Sequence, residues 1–229
     1  RKIKSVNSTK QITKAMELVS TAKLKRNKGV LERTKPYYRE VLGTVKSILA
    51  SEQGMKHDFI TAREVRNTLY IVVAGDRGLC GGYNVNVLKK AAHDIGTKKA
   101  KVMSIGKKGL DFFKKIQIDP VHFYLGIAEK PTFLDAQDIA RKALRMYAQE
   151  EVDVIKLVYT RMESTISQVP DIIQLLPVDI TAAEAQEDQL LINYEPSAEE
   201  VLAYLIPKYI ESTIRSEEHT SELQSRHNL

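Results

Sequence analysis

One long basic segment at the start of the chain limits what this protein can fold into. Residues 2–33 indicate a single uninterrupted helix that is strongly basic and only narrowly apolar. Residues 1–35 hold eleven Lys and Arg against two Glu, so their net charge of +9 exceeds the +6 of the whole chain. This pattern predicts a shaft or an arm on which the positive charge of the protein is concentrated. The apolar residues of this helix are three or four residues apart, as in the seam of a two-helix coiled coil. They are Ile12, Met16, Val19 and the Ala22/Lys23 pair.

The same helix is predicted to extend beyond Pro36. Helical apolar spacing returns over residues 38–50. Pro36 should kink or interrupt the helix, because its ring removes one backbone hydrogen bond and clashes with the preceding turn. If the helix is continuous, residues 2–50 span about 70 Å at about 1.5 Å per residue, which is longer than a small domain requires.

Composition excludes several classes of protein. The 229 residues are 43% hydrophobic, which is enough for one or two domains with a real core. There is no run of about eighteen apolar residues, so no membrane span is predicted, and no apolar signal region follows the start. The single cysteine, Cys80, cannot form an internal disulfide and suits a reducing compartment. A pI of about 9.2 would suit nucleic acid, an acidic protein or an anionic membrane as partner.

Residues 67–180 are predicted to form an α/β domain. Apolar runs rich in β-branched residues indicate buried strands, and they alternate with helical patterns, which is typical of a Rossmann-like, three-layer domain. The last two strands have no helix between them, so we expect an antiparallel pair. The predicted strands are residues 68–74, 100–105, 121–124, 152–160 and 169–177, and the predicted helices are residues 85–95, 107–114 and 132–149, the last capped by Thr132.

The end of the chain combines a helix with a segment of different character. After an acidic linker, Ser197 is a predicted N-cap for a helix that should kink at Pro207. Residues 215–229 lose the apolar period and read as the in-frame translation of a sequencing-library adapter. We therefore expect a non-native tail and a helix that is lost after Ile214. The predicted organisation is a shaft segment at 1–56, the α/β domain at 67–180, the start of a C-terminal shaft helix at 190–214, and the tail at 215–229.

A glycine-rich turn follows the first predicted strand, where phosphate-binding loops lie in nucleotide-binding folds. Its spacing fits neither G-x-G-x-x-G nor G-x-x-x-x-G-K-[ST]. We predict a structural tight turn and keep a free-standing α/β nucleotide-binding enzyme as the alternative. The residues of this turn are Asp76, Arg77, Gly78, Gly81 and Gly82.

The sequence contains no recognisable catalytic or metal-binding constellation. The histidines at positions 57, 93 and 122 are scattered, so neither a metal nor a cofactor is predicted. Asp135 and Asp138 share a helix face, which favours a solvated surface over an acid–base pair. Cys80 suits a small buried hydrophobe, with a Cys–His nucleophile as the alternative.

The basic helix itself has two interpretations. It suits the solvated exterior of a coiled coil, and nucleic-acid binding is the rival. Nucleic-acid binding would favour aromatic side chains interleaved with the basic ones. The helix lacks them, because no Phe, Tyr or Trp precedes Tyr37. We therefore predict no nucleic-acid partner.

Three stretches of the chain resemble the γ subunit family of F-type ATP synthases. Residues 3–24 contain Thr-Lys-Gln-Ile-Thr-Lys-Ala-Met-Glu-Leu-Val, residues 76–84 read Asp-Arg-Gly-Leu-Cys-Gly-Gly-Tyr-Asn, and residues 194–212 begin Tyr-Glu-Pro-Ser and end Glu-Ser. These matches occur in the family's order across nearly all of residues 1–214.

The resemblance implies a non-catalytic rotor subunit, the central stalk of a proton-translocating ATP synthase. The N- and C-terminal helices would form an antiparallel coiled coil inside the ring of α and β subunits. The α/β domain would lie below, with the ε subunit and the membrane c-ring. Rotation driven by proton flow would turn an asymmetric shaft past the three β subunits and cycle their affinity for nucleotide.

The resemblance also implies two sets of interface residues. The set that faces the α/β ring comprises Ile12, Lys14, Met16, Val19 and Lys23. The set that forms the foot against the c-ring and ε comprises Leu191, Tyr194 and Glu195. The foot residues lie between the acidic linker and the last helix, on a turn that Pro196 fixes.

The chain departs from the family pattern at both ends. It starts at Arg1 in helical register, which indicates a fragment, and the family's C-terminal motif is absent. Because the C-terminal helix would be short, we expect Ile3, Val6, Ile12 or Met16 to stay exposed. The cysteine-bearing insert of chloroplast versions is absent too. The absence of this insert favours a bacterial protein, held peripherally at the cytoplasmic face of the plasma membrane.

Overall fold

Five helices and five strands make up the part of the chain that the structure describes. This structure is a computed structural model, and it describes residues 2–51, 57–78, 80–127, 132–163, 167–178, 194–195 and 197–227. The elements are, in chain order, α1 (Lys2–Ser51), β1 (Thr68–Val73), α2 (Tyr83–Ile95), β2 (Ala100–Ile105), α3 (Lys107–Lys115), β3 (His122–Tyr124), α4 (Phe133–Ala148), β4 (Val154–Met162), β5 (Gln168–Leu176) and α5 (Ala198–His227). The strands and the helices of the α/β domain agree with the predicted ranges to within one or two residues.

The strands form one sheet in the order β3-β2-β1-β4-β5. β1 pairs in parallel with both β2 and β4, and β2 pairs in parallel with β3. β4 and β5 are antiparallel, as their direct connection predicted, because a short loop can only reverse the chain. The predicted mixed α/β fold with a largely parallel sheet is confirmed.

Helices cover both faces of the sheet. Along β1, Leu69, Ile71 and Val73 enter one core with residues of α1, α4 and α5. The alternate residues Tyr70 and Val72 enter a second core with α2 and α3. Because successive side chains of a strand point to opposite faces, burial on both sides explains why β1 is an unbroken apolar run.

Helix α1 continues through Pro36 without interruption, so the predicted interruption is wrong. Proline removes a single backbone hydrogen bond, and the turns on either side keep theirs. Among the described side chains of α1, four near the end of the helix are buried and join the core with α5 and the sheet. They are Val41, Val45, Ile48 and Leu49.

Helix α5 begins as predicted and ends later than predicted. The hydroxyl of Ser197 accepts a hydrogen bond from the Glu200 N–H at 3.2 Å, which confirms the N-cap. The helix then runs through Pro207 to His227, so the predicted loss of helix after Ile214 is wrong. Residues 215–227 contain neither glycine nor proline, and the loss of an apolar period does not by itself end a helix. The non-native origin of residues 215–229 remains a prediction.

Helix α4 carries the predicted cap. The Thr132 hydroxyl accepts a hydrogen bond from the Asp135 N–H, and the Asp135 carboxylate accepts one from the Thr132 N–H. This reciprocal arrangement is a capping box, which satisfies two backbone donors at the helix start. No helix in the described part of the chain is both long enough and apolar enough to cross a membrane.

Candidate functional site

The first part of α1 is a basic helix with its apolar side chains in solvent. Every side chain described between Lys2 and Val19 is exposed. Ile12 exposes 61% of its surface, and Ile3 and Val6 are more exposed still. The prediction that these three residues stay uncovered is confirmed. Exposed large apolar groups on a charged helix mark a surface that suits a protein partner.

Four of the five predicted ring-facing positions share one stripe of α1. At about 100° per residue, Ile12, Met16, Val19 and Lys23 lie on the same side of the helix, whereas Lys14 lies on the opposite side. The structure exposes Ile12, Lys14 and Val19. The side chains of Met16 and Lys23 lie outside the described residues. A partner that surrounds the helix could contact both sides, and a partner on one side could not.

The glycine turn after β1 is held together by the side chain of Asn84. Its amide oxygen accepts a hydrogen bond from the Gly75 N–H at 2.7 Å. Its amide nitrogen donates to the Arg77 carbonyl at 3.0 Å and lies 2.9 Å from the Cys80 sulfur. The Gly75 N–H is therefore already bonded within the protein, whereas a phosphate-binding loop keeps such groups for its ligand.

Asp76 joins this turn to the two neighbouring connections. One carboxylate oxygen accepts hydrogen bonds from the Lys107 N–H at 2.9 Å and the Gly126 N–H at 3.1 Å. Arg77, Gly78, Gly81 and Gly82 are exposed around it, and Gly81 has a φ of 53°, a conformation that favours glycine. The contacts of the predicted turn residues are thus largely internal to the fold.

Gly106, at the end of β2, was not among the predicted turn residues. It has a φ of 88° and a ψ of 146°, in a region that only glycine populates readily. A Cβ at this position would collide with the carbonyl oxygen of Ala74. Two neighbouring parallel strands end here, and their backbones approach too closely for any side chain.

Asn84 could have been found from the pattern of α2. The inward face of this helix carries Tyr83, Val87, Leu88 and Ala91, and Asn84 is the one polar residue among the buried residues of the helix. A buried amide must find hydrogen-bond partners, so a polar residue on an apolar face, directly after a glycine turn, indicates a group that organises that turn.

The remaining candidate groups of the sequence do not assemble into a reactive site. No cluster of His, Cys, Asp or Glu able to hold a metal ion occurs among the described residues. Burial raises the pKa of the Cys80 thiol, which disfavours the thiolate that a nucleophile needs. Asp135 belongs to the helix cap. Hydrogen bonds from Lys142 and Arg141 lower the pKa of Asp138 to about 2, so this carboxylate is an ion-pair partner rather than an acid.

One partly buried polar cluster lies between α2 and the sheet. The Tyr70 hydroxyl donates to the Asp94 carboxylate at 2.7 Å, and the Lys156 ammonium lies 2.7 Å from the same oxygen. Burial raises the pKa of Tyr70 well above its usual range, and the bond to Asp94 adds to the rise. Burial opposes the ionised form of Asp94, but Lys156 and Tyr70 lower the pKa of its carboxyl below the usual value. The cluster fastens α2 to β1 and β4.

The predicted foot is described only in part. Tyr194 is half-buried and packs against the core shared by α1, α4 and α5. Glu195 is exposed, and Leu191 lies outside the described residues. Tyr194 therefore holds this point of the chain to the core, while Glu195 is available to a partner.

Replacing Asn84 with alanine should loosen the glycine turn. The change leaves the buried Gly75 N–H without its acceptor, so we expect the free energy of unfolding to fall by about 1–3 kcal/mol. Urea denaturation followed by circular dichroism measures this, since the chain has no tryptophan. Asn86→Ala is the matched control, because Asn86 is exposed and surface changes cost about 0.5 kcal/mol or less. Equal losses in both variants would contradict the role of Asn84.

Comparison with known proteins relates the whole chain to one family. A family profile described as ATP synthase matches residues 1–228. The ATP synthase gamma chain of Alkaliphilus metalliredigens is 50% identical over 220 residues, which cover 93% of this chain and 76% of that relative. The sodium ion specific ATP synthase gamma chain of Acetobacterium woodii is 36% identical over 233 residues, which cover 93% of this chain and 77% of that relative.

A solved structure has the same fold. The chain is similar to a chain of the central stalk and c-ring of the Tetrahymena thermophila mitochondrial ATP synthase, with a TM-score of 0.72. The similarity covers 95% of this chain and 96% of that chain at 22% sequence identity. At this identity the likeness establishes the fold alone.

Proposed function

Since the chain belongs to the family of ATP synthase gamma chains, we propose that it is the central rotor stalk of a proton-translocating F-type ATP synthase. It is a non-catalytic subunit, and the chemistry of ATP belongs to the β subunits of the complex. The observation that carries the proposal is the contrast along α1. The helix is anchored in the core at Val41–Leu49, and its first part projects as an exposed basic rod.

The exposed rod would stand inside the ring of α and β subunits. Its stripe of Ile12, Met16, Val19 and Lys23 would contact one side of the ring while Lys14 contacts another. A cationic helix suits acidic levers on the β subunits, because opposite charges attract across a desolvated contact. The rod presents a different side to each β subunit, so its rotation would change their nucleotide affinities in turn.

The two long helices would form the shaft together. α1 and α5 contact each other, and both contribute to the same core through residues such as Val45 and Ile210. We propose an antiparallel coiled coil in which the buried end of α1, at Val41, Val45 and Ile48, packs against α5, while the exposed stripe is left for the ring. The Rossmann-like α/β domain at residues 67–180 would form the base of this shaft.

The foot would connect the base to the membrane rotor. Glu195 is exposed beside the anchored Tyr194, and with Leu191 it would contact the c-ring and the ε subunit. The protein would thus be held peripherally at the cytoplasmic face of a bacterial plasma membrane through its complex. The glycine turn at Asp76, Arg77, Gly78, Gly81 and Gly82 would serve structure, since its contacts lie within the fold.

Cross-linking in the assembled complex tests both ends of this arrangement. In a Cys80→Ala background, Val19→Cys should cross-link to a β subunit and Glu195→Cys to the polar loop of a c subunit. Ala148→Cys is the control, because Ala148 is exposed on α4 and should join neither partner. Products are identified by mass spectrometry. A Val19→Cys product with c, or a Glu195→Cys product with β alone, would overturn the proposed orientation.

A further inference from the structure

A second basic region lies in the α/β domain. Residues 89–115 contain nine lysines against Asp94 and Asp111, a net charge of +7. The expectation that positive charge is concentrated on α1 is therefore wrong. Acidic residues elsewhere in the chain offset these lysines in the net charge of the whole protein. Seven of the nine lysines are exposed, namely Lys89, Lys90, Lys98, Lys99, Lys107, Lys114 and Lys115.

These lysines coat one layer of the domain. α2 and α3 contact each other and cover the same face of the sheet, opposite α1 and α5. α3 buries Gly109, Leu110 and Phe113, which leaves Lys107, Lys114 and Lys115 on its outer side.

An apolar row lies at the edge of the sheet beside α3. Val121, Phe123 and Leu125 alternate along β3 and its ends, so they share one side of the strand. All three are exposed, and Phe123 exposes 54% of its surface. Ile116, just after α3, is exposed as well. In the described part of the chain, β2 is the only strand that pairs with β3.

The lysines of α3 flank this row at both ends. Lys107 and Gly126 donate their N–H groups to the same oxygen of Asp76, so the start of α3 lies beside the end of the row at Leu125. The other end of α3 carries Lys114 and Lys115 and leads directly into the loop before Val121.

We propose that this surface, the α3–β3 edge, binds an extended acidic segment of another protein whose apolar side chains alternate with carboxylates. Residues two apart on an extended chain are about 7 Å apart, which matches the spacing of the row. Because β3 has three residues, backbone pairing can contribute few hydrogen bonds, and the apolar contacts and lysines must supply the affinity.

An extended polypeptide fits this edge better than a nucleic acid or a membrane. The exposed Asp111 and Asp119 interrupt the lysines, and they would repel a continuous array of phosphates. A protein segment can avoid them by its choice of residues. The apolar row of this edge is on the opposite face of the sheet from α1 and α5. A partner bound there would therefore not cover the shaft helices.

The test uses the full chain and a fluorescent nine-residue peptide in which Glu alternates with Val and Phe. Fluorescence anisotropy should show saturable binding, and hydrogen exchange should slow over residues 121–125. Phe123→Glu should weaken binding roughly ten- to hundredfold, from the loss of one buried aromatic contact. The matched control is Leu134→Glu, since Leu134 is 70% exposed on α4 and should leave the affinity unchanged.

The charge of the lysines and the order of the residues in the peptide are tested separately. Lys114→Glu combined with Lys115→Glu should also weaken binding at least about tenfold, with a smaller salt dependence. A peptide of the same composition with its carboxylates and apolar residues in two separate blocks should bind at least about tenfold more weakly.

Several outcomes would overturn the proposal. Equal binding of both peptides, or equal effects of Phe123→Glu and Leu134→Glu, would reduce the interaction to non-specific charge. Sedimentation with phosphatidylglycerol vesicles or retention of duplex DNA that requires Phe123, without peptide binding, would make the edge a lipid or nucleic-acid contact. None of these results bears on cross-linking at Val19 or Glu195, so this proposal and the rotor function can fail separately.

Discussion

Replacing Gly106 with alanine should lower the free energy of unfolding by roughly 3–5 kcal/mol. The new Cβ would meet the Ala74 carbonyl oxygen, and the positive φ of 88° is strained for any L side chain. Relief requires β1 and β2 to move apart where they end, at the place where Asp76 joins three connections. The urea midpoint should fall, and amide exchange should accelerate in β1.

Gly43→Ala is the control for this prediction. Gly43 lies within α1, and nothing comes within 4 Å of a Cβ placed there. Alanine in a helix is about 1 kcal/mol more favourable than glycine, so this variant should be slightly more stable than the natural chain. A Gly106→Ala variant with the stability of the Gly43→Ala variant would show that the strand ends are free to separate.

Ile48→Ala should cost about 2–5 kcal/mol, because it leaves a cavity in a packed core. Ile48 is fully buried where α1 meets α5 and the sheet. The same change at the other end of the helix, Ile12→Ala, should cost about 0.5 kcal/mol or less, since Ile12 is largely exposed. Urea denaturation of the two variants therefore reports how burial is distributed along one helix.

The two variants should differ in the assembled enzyme as well. Ile48→Ala loosens the attachment of α1 to its base, so we expect ATP hydrolysis to continue with less proton pumping per ATP. Comparing ATPase rate with proton uptake by inverted vesicles measures this coupling. A loss of coupling in Ile12→Ala that equals the loss in Ile48→Ala would show that the anchor is not what limits torque.

The elements of the α/β domain could be predicted because their patterns are local. β1 is apolar on both faces, the turn residues after it include three glycines, and Thr132 with Asp135 forms a cap within four residues. Each signal is carried by neighbours in the sequence, where hydrogen bonding and side-chain period act directly. The antiparallel β4–β5 pair followed from the short connection alone.

What could not be predicted depends on contacts between distant parts of the chain. The conformation of Gly106 is imposed by Ala74, which directly follows a different strand, β1. Asn84 is marked by its place on the apolar face of α2, but its partners, Gly75 and Arg77, are known only from the fold. The basic α2–α3 layer is different, because its lysines lie within residues 89–115 and only the net charge of the whole chain conceals them.

The way α1 is held has a mechanical consequence. A rod clamped at its base bends by an amount that grows with the cube of its free length, and the bending moment is greatest at the clamp. At about 1.5 Å per residue, about 60 Å of helix lies between Lys2 and Val41, the first of the described α1 side chains that is buried. Pro36 lies a few residues before Val41. One backbone hydrogen bond is missing there, so the helix is most compliant at this point. Contacts that hold the tip of the helix therefore stiffen it far more than extra packing at its base does. They also let a slender helix transmit torque without bending sideways.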